Sequence, residues 1–245
     1  MSDDAADLLR AAAGRRFVDE DGQETKLELL PPLSAAELEA LEALLPCPLP
    51  DDARALLSVA RGVDGVPLES VDFSGLGEPI MEDLFPCGLP IAHDGFGNYW
   101  VLDLTSSSTL WGPVFYLCHD PAVVVYQCDD VRAFIEEMLR LTDPAEEDAI
   151  DRVHEQHAFE IWRTHPGAMS RDAALQAGDA TLRDFAASLT PDHYVIDLRN
   201  AHTGDGFAWG RFGPQTPLRR AGESRIFAYQ TVSRWRRLKV ALVGR

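Results

Sequence analysis

Apolar and polar residues alternate with two different periods along this chain, and the change of period divides it. Leu30-Pro-Pro-Leu-Ser-Ala-Ala-Glu-Leu-Glu-Ala-Leu-Glu-Ala-Leu-Leu45 carries its apolar positions at helical spacing, with Ser34 and Glu37 placed as a capping box. Leu49 to Gly62 predicts a second helix, entered through Pro50 and closed by Gly62. Strand-like runs follow: Pro90 to His93, Tyr99 to Leu104, Gly112 to Asp120 and Ala122 to Tyr126. Tyr99 to Leu104 ends on an acid among apolar residues, as a half-buried strand would. Between the first two runs lies Asp94-Gly95-Phe96-Gly97-Asn98, a turn whose glycines accept φ > 0 without steric cost. The polar stretch Thr105 to Thr109 joins the next pair. The pattern predicts an antiparallel meander closed by a helix from Phe134 to Leu141.

Outside this block the elements are shorter. Asp7 to Ala13 predicts a helix, Asp19 to Gln23 a turn, and Thr25 to Leu30 a strand or linker. Pro144, within Thr142 to Asp148, breaks the chain at a candidate boundary. Ala149 to Arg163 is helical, with Ile150, Val153, His157 and Ile161 on one face, and His165-Pro166-Gly167 ends it. Ser170 to Leu175 and Asp179 to Leu189 predict two short helices, the second capped by Asp179. His193 to Leu198 and Ser224 to Gln230 read as strands, separated by a loop rich in glycine and aromatics, Gly204 to Gly213. The expected organisation is an N-terminal extension over residues 1–29, a main domain over 30–145, and a helical then β-rich region over 146–245.

The order helix, Leu-Pro, helix, Gly, strands, "DGFGNYWVLDL", "GPVFYLCHD", helix resembles the SUKH superfamily, over roughly Leu30 to Leu141. That superfamily comprises fungal cell-wall-assembly regulators and bacterial immunity proteins against secreted or contact-delivered toxins. The resemblance implies an α+β fold, a mostly antiparallel sheet flanked by helices, here with an appended C-terminal α+β region. It also implies a non-catalytic protein-binding role, with a toxin domain as partner if the chain is an immunity protein. A regulatory scaffold of the cell-wall type is the alternative.

Charge sharpens this picture. The 245 residues hold 22 basic and 40 acidic side chains, a net −18. Residues 1–150 carry 8 basic against 30 acidic groups, whereas residues 201–245 carry 9 against 2. A strongly acidic region repels nucleic acid and attracts basic partners, such as a basic toxin domain. No apolar run approaches 18 residues, so nothing predicts a membrane span. The N-terminus is acidic where a signal peptide would be basic, which predicts a cytoplasmic protein.

Candidate chemistry is sparse, and no cofactor is predicted. Cys47, Cys87, Cys118 and Cys128 are scattered without a C-x-x-C pair, so they read as buried structural thiols. His154-Glu-Gln-His157 spaces its histidines at i, i+3 and so misses the metalloprotease motif, even with Asp151 as a conceivable third ligand. His93-Asp94 and His119-Asp120 would serve an enzyme or a metal ion, but turn chemistry explains both. There is no G-x-S-x-G and no phosphate loop, so no catalytic residue is assigned. Arg234-Trp-Arg-Arg-Leu-Lys239 could contact nucleic acid, but pairing with the acidic first part, or with a partner, explains it better. Among Phe96, Tyr99, Trp100, Trp111, Phe115 and Tyr116, alternation sends most to the core and leaves one or two near the turn as interface anchors. The expected partner-binding residues are Glu78, Glu82, Asp83, Asp94, Phe96, Asn98 and Tyr99.

Overall fold

The computed structural model describes residues 4–18, 22–77, 80–143, 147–213 and 215–231. Helix α1 (Ala5–Ala12) is capped by Asp4 and precedes a ribbon of β1 (Arg16–Val18) and β2 (Glu24–Lys26). Strand β3 (Glu28–Leu29) leads into α2 (Ala35–Glu42), where Ser34 and Glu37 form the expected reciprocal capping box. Helix α3 (Asp51–Leu57) begins after Pro50 and stops five residues earlier than predicted. Gly62 does not close it. Gly62 opens strand β4 (Gly62–Asp64), where a Cβ would lie 2.1 Å from the Val71 carbonyl oxygen of β5 (Ser70–Asp72). Close approach of two strands, and not a helix stop, is what requires glycine there.

The predicted meander follows: β6 (Gly88–His93), β7 (Tyr99–Asp103), β8 (Val114–His119) and β9 (Ala122–Cys128), closed by α4 (Val131–Arg140) under an Asp130 cap. Strands β3 to β9 lie side by side in one antiparallel sheet. An eighth strand, β12 (Gly206–Ala208), pairs with β9. It comes from the segment expected to be a loop. Gly206 admits it, since a Cβ there would meet the Val124 carbonyl oxygen at 2.1 Å.

The expected long helix is present but not uniform. It comprises α5 (Ala149–Asp151), a π-helical turn over Arg152–His157, and α6 (Ala158–Thr164), ended by His165 in the left-handed conformation. Then come β10 (Met169–Ser170), α7 (Arg171–Leu175), α8 (Ala180–Ala187) capped by Asp179, β11 (His193–Asp197), β13 (Leu218–Arg220) and β14 (Ile226–Gln230). Strands β10, β11, β14 and β13 make a second antiparallel sheet.

Strand β7 corrects the half-buried expectation. Trp100, Val101, Leu102 and Asp103 are all buried. Trp100 and Leu102 face a core shared with Leu9, Leu56, Phe134 and Val153, contributed by α1, α3, α4 and the π-helical turn. Val101, with Phe115 and Tyr126, faces a second core shared with Ile196, Phe207 and Phe227. A third core lies behind the smaller sheet, where Val195 and Ala228 meet Leu182 and Phe185 of α8. The main sheet is therefore covered on both faces, which removes the polar alternation of a half-exposed strand. Of the thiols, Cys47, Cys118 and Cys128 are buried, but Cys87 is exposed, because it sits in the loop before β6. No helix among the described residues is long and apolar enough to cross a membrane.

Candidate functional site

The turn between β6 and β7 is held from inside. The Asp94 carboxylate accepts from the Phe96 amide at 2.8 Å, the Asn98 amide at 3.2 Å and Asn98 Nδ2 at 2.5 Å. Gly95 and Gly97 take φ of 81° and 89°, so the loop folds tightly around that carboxylate. His93 Nδ1 accepts from the Gly95 amide at 3.1 Å. Asn98 Oδ1 reaches the end of β8, accepting from the His119 amide at 3.1 Å and from His119 Nδ1 at 2.9 Å. Those contacts tie His93 and His119 to the turn.

A third histidine joins from the π-helical turn. His154 Nε2 stands 3.3 Å from Asp94 Oδ2, and its Nδ1 stands 2.8 Å from Glu155 Oε1. Its ring meets Tyr116 edge-on and Trp100 at a tilt, with centroids 5.6 and 6.4 Å away. Burial works to raise the Asp94 carboxyl. The hydrogen bonds from Asn98 and Phe96, with the nearby His154, outweigh it and hold the pKa below the usual carboxylate range.

At its tip the network leaves a large apolar side chain in solvent. Phe96 is 79% exposed at the tip of the turn, while Trp100, Trp111, Phe115 and Tyr116 are in the core and Tyr99 is half-buried against the His93 ring. Glu69 lies under the turn, within 3.3 Å of a Cβ built on Gly95. Glu155, 65% exposed at its side chain, stands beside His154.

Of the residues expected to bind a partner, Asp94, Phe96, Asn98 and Tyr99 come together here. Glu82 and Asp83 do not. They are exposed on the turn closed by the Leu84 amide and the Met81 carbonyl. The Leu84 carbonyl accepts from Arg220, which in turn pairs with Asp103 at the far end of β7. The length of β6, about 17 Å for six residues, separates the two groups. Glu78 and the basic segment 234–239 lie outside the described residues, as does Pro144. His154, His119 and Glu69 escaped the sequence reading as members of the turn, because no local spacing links positions 69, 94, 119 and 154.

His157 does not join His154 around an ion. Its Nδ1 is 3.9 Å from Glu160, and its ring packs on Gly204. Among the described residues no three of His, Cys, Asp and Glu gather as metal ligands.

Fold and turn together define an α+β domain whose antiparallel meander offers a prebuilt, aromatic-tipped loop. Residues 32–137, from the approach to α2 into α4, match the model of the SMI1 / KNR4 family (SUKH-1), in agreement with the superfamily that the motifs of this segment resemble. No curated protein and no solved structure matches the chain.

Proposed function

We propose that this chain is a non-catalytic protein-binding domain that docks a partner through the Asp94–Asn98 turn, with Phe96 as the anchor. The family match supports a non-catalytic, protein-binding domain of the immunity type at the level of the family. The observation that carries the reading is Phe96: a large apolar side chain left in water on a loop fixed by six hydrogen bonds. Such a loop loses little conformational freedom on binding, and aromatic anchors dominate interface energies. Glu69 packs under the turn, Glu155 stands exposed beside His154, and residues 1–150 are strongly acidic, which favours a basic partner surface and fast encounter at low salt. In the immunity role the partner is a toxin domain, neutralised by occlusion of its active site.

The test is affinity capture from the native host with the full chain as bait, at low and raised salt, beside a Phe96→Ala bait. A protein held at low salt by the unaltered chain and lost with Phe96→Ala supports the reading. Identical captures by the two baits overturn it.

A further inference from the structure

A cleft of about 710 Å³ opens where the Thr105–Leu110 loop, the start of α4 and the approach to β14 meet, at the end of the sheet away from the Phe96 turn. That volume falls within the usual range for small-molecule sites. Its wall carries Arg225. Among the described residues Arg225 is the one half-buried arginine given neither an ion pair nor a side-chain hydrogen bond. Its guanidinium is still in contact with the water of the cleft, and so is free to take a carboxylate from solution.

The carboxylates of the cleft are committed elsewhere, in whole or in part. Both oxygens of Asp103 pair with Arg220. Both oxygens of Glu223 accept from Ser106, one from its amide and one from its hydroxyl. Asp129 accepts the Tyr126 hydroxyl on one oxygen, and Asp130 caps α4 with one oxygen. Arg199, the other cation of the wall, already holds Asp197 and Asp179. What remains open is a guanidinium, one oxygen each on Asp129 and Asp130, and the hydroxyls of Ser224 and of Thr109 at the exposed rim.

We infer that this cleft binds a small carboxylate that also carries an amino or hydroxyl donor. The planar guanidinium of Arg225 matches a carboxylate at two points. The free oxygens of Asp129 and Asp130 accept the donor. The same two aspartates repel a doubly charged anion, so phosphate is disfavoured.

Amide spectra of the labelled full chain test this, titrated to millimolar L-serine, L-lactate, acetate or inorganic phosphate. Serine and lactate are expected to shift the Ser107, Ser108 and Arg225 amides saturably, several-fold more strongly than acetate, with phosphate weakest. Arg225→Gln is expected to abolish the response, and the exposed Arg219→Gln to keep it. Should Arg225→Gln disturb the fold, Thr109→Trp fills the mouth of the cleft from an exposed position without adding charge and is expected to abolish the response instead. No saturable shift, a response that survives either cleft variant, or phosphate outcompeting serine overturns the inference.

Discussion

Arg220 of β13 grips Asp103 of β7 at two points, 2.6 and 2.9 Å, with both side chains almost fully buried. The remaining guanidinium hydrogens go to the carbonyls of Leu84, Glu223 and Ser224, so all five donors are used. The ring of Phe227 lies 5.4 Å from the guanidinium carbon. The pair joins the two sheets. Removing one partner from such a pair strands the other charge without water. Arg220→Met is expected to cost about 3–5 kcal/mol in urea unfolding, and adding Asp103→Leu to recover part of that loss.

The second core makes the same junction apolar. Phe227 touches Phe85, Phe115 and Phe207, each from a different strand or loop of the main sheet. Phe227→Ala is expected to cost about 3–5 kcal/mol. By the same reasoning, residues 30–145 expressed alone would expose Val101, Phe115 and Tyr126. We expect that fragment to bind a hydrophobic dye and to lack a cooperative thermal transition.

The turn separates stability from docking. Phe96 touches little, so Phe96→Ala is expected to change unfolding free energy by less than about 0.5 kcal/mol while abolishing capture. Asn98 is the opposite case, since it donates to Asp94 and accepts twice from His119. Asn98→Ala is expected to cost about 1–3 kcal/mol, because it leaves partners unpaired.

Acid provides an independent check on the turn. The folded-state pKa of Asp94 lies below its unfolded value of about 4, so its contribution is complete above that value. It is lost as pH falls through the lower, folded-state value. The protection of the Phe96 and Asn98 amides against exchange, taken relative to the unstructured rate at each pH, is expected to fall across that acid window in the native chain. In Asp94→Asn that fall in protection is expected to be absent.

The thiols divide by burial. Desolvation pushes the Cys47, Cys118 and Cys128 thiols above the ordinary value, whereas Cys87 is exposed. Mass spectrometry after brief maleimide treatment of the native chain is expected to show one modification, at Cys87, and four after denaturation.

Local chemistry was enough, from the sequence, for the Ser34–Glu37 capping box, the Asp94–Asn98 turn, the strands around it and the cap at Asp179. Each rests on contacts within a few residues, where hydrogen-bonding options and φ preferences are written into adjacent side chains. Tertiary structure alone decided that β7 is buried on both faces, that Gly204 to Gly213 supplies a strand, and that Glu82 and Asp83 stand a strand's length from Phe96. It also decided that His154 meets Asp94 and that Arg220 meets Asp103 across more than a hundred residues. Periodicity reports which side of an element avoids water, but not which distant element covers it. Side chains far apart in the chain carry no mark of their pairing until packing brings them into contact.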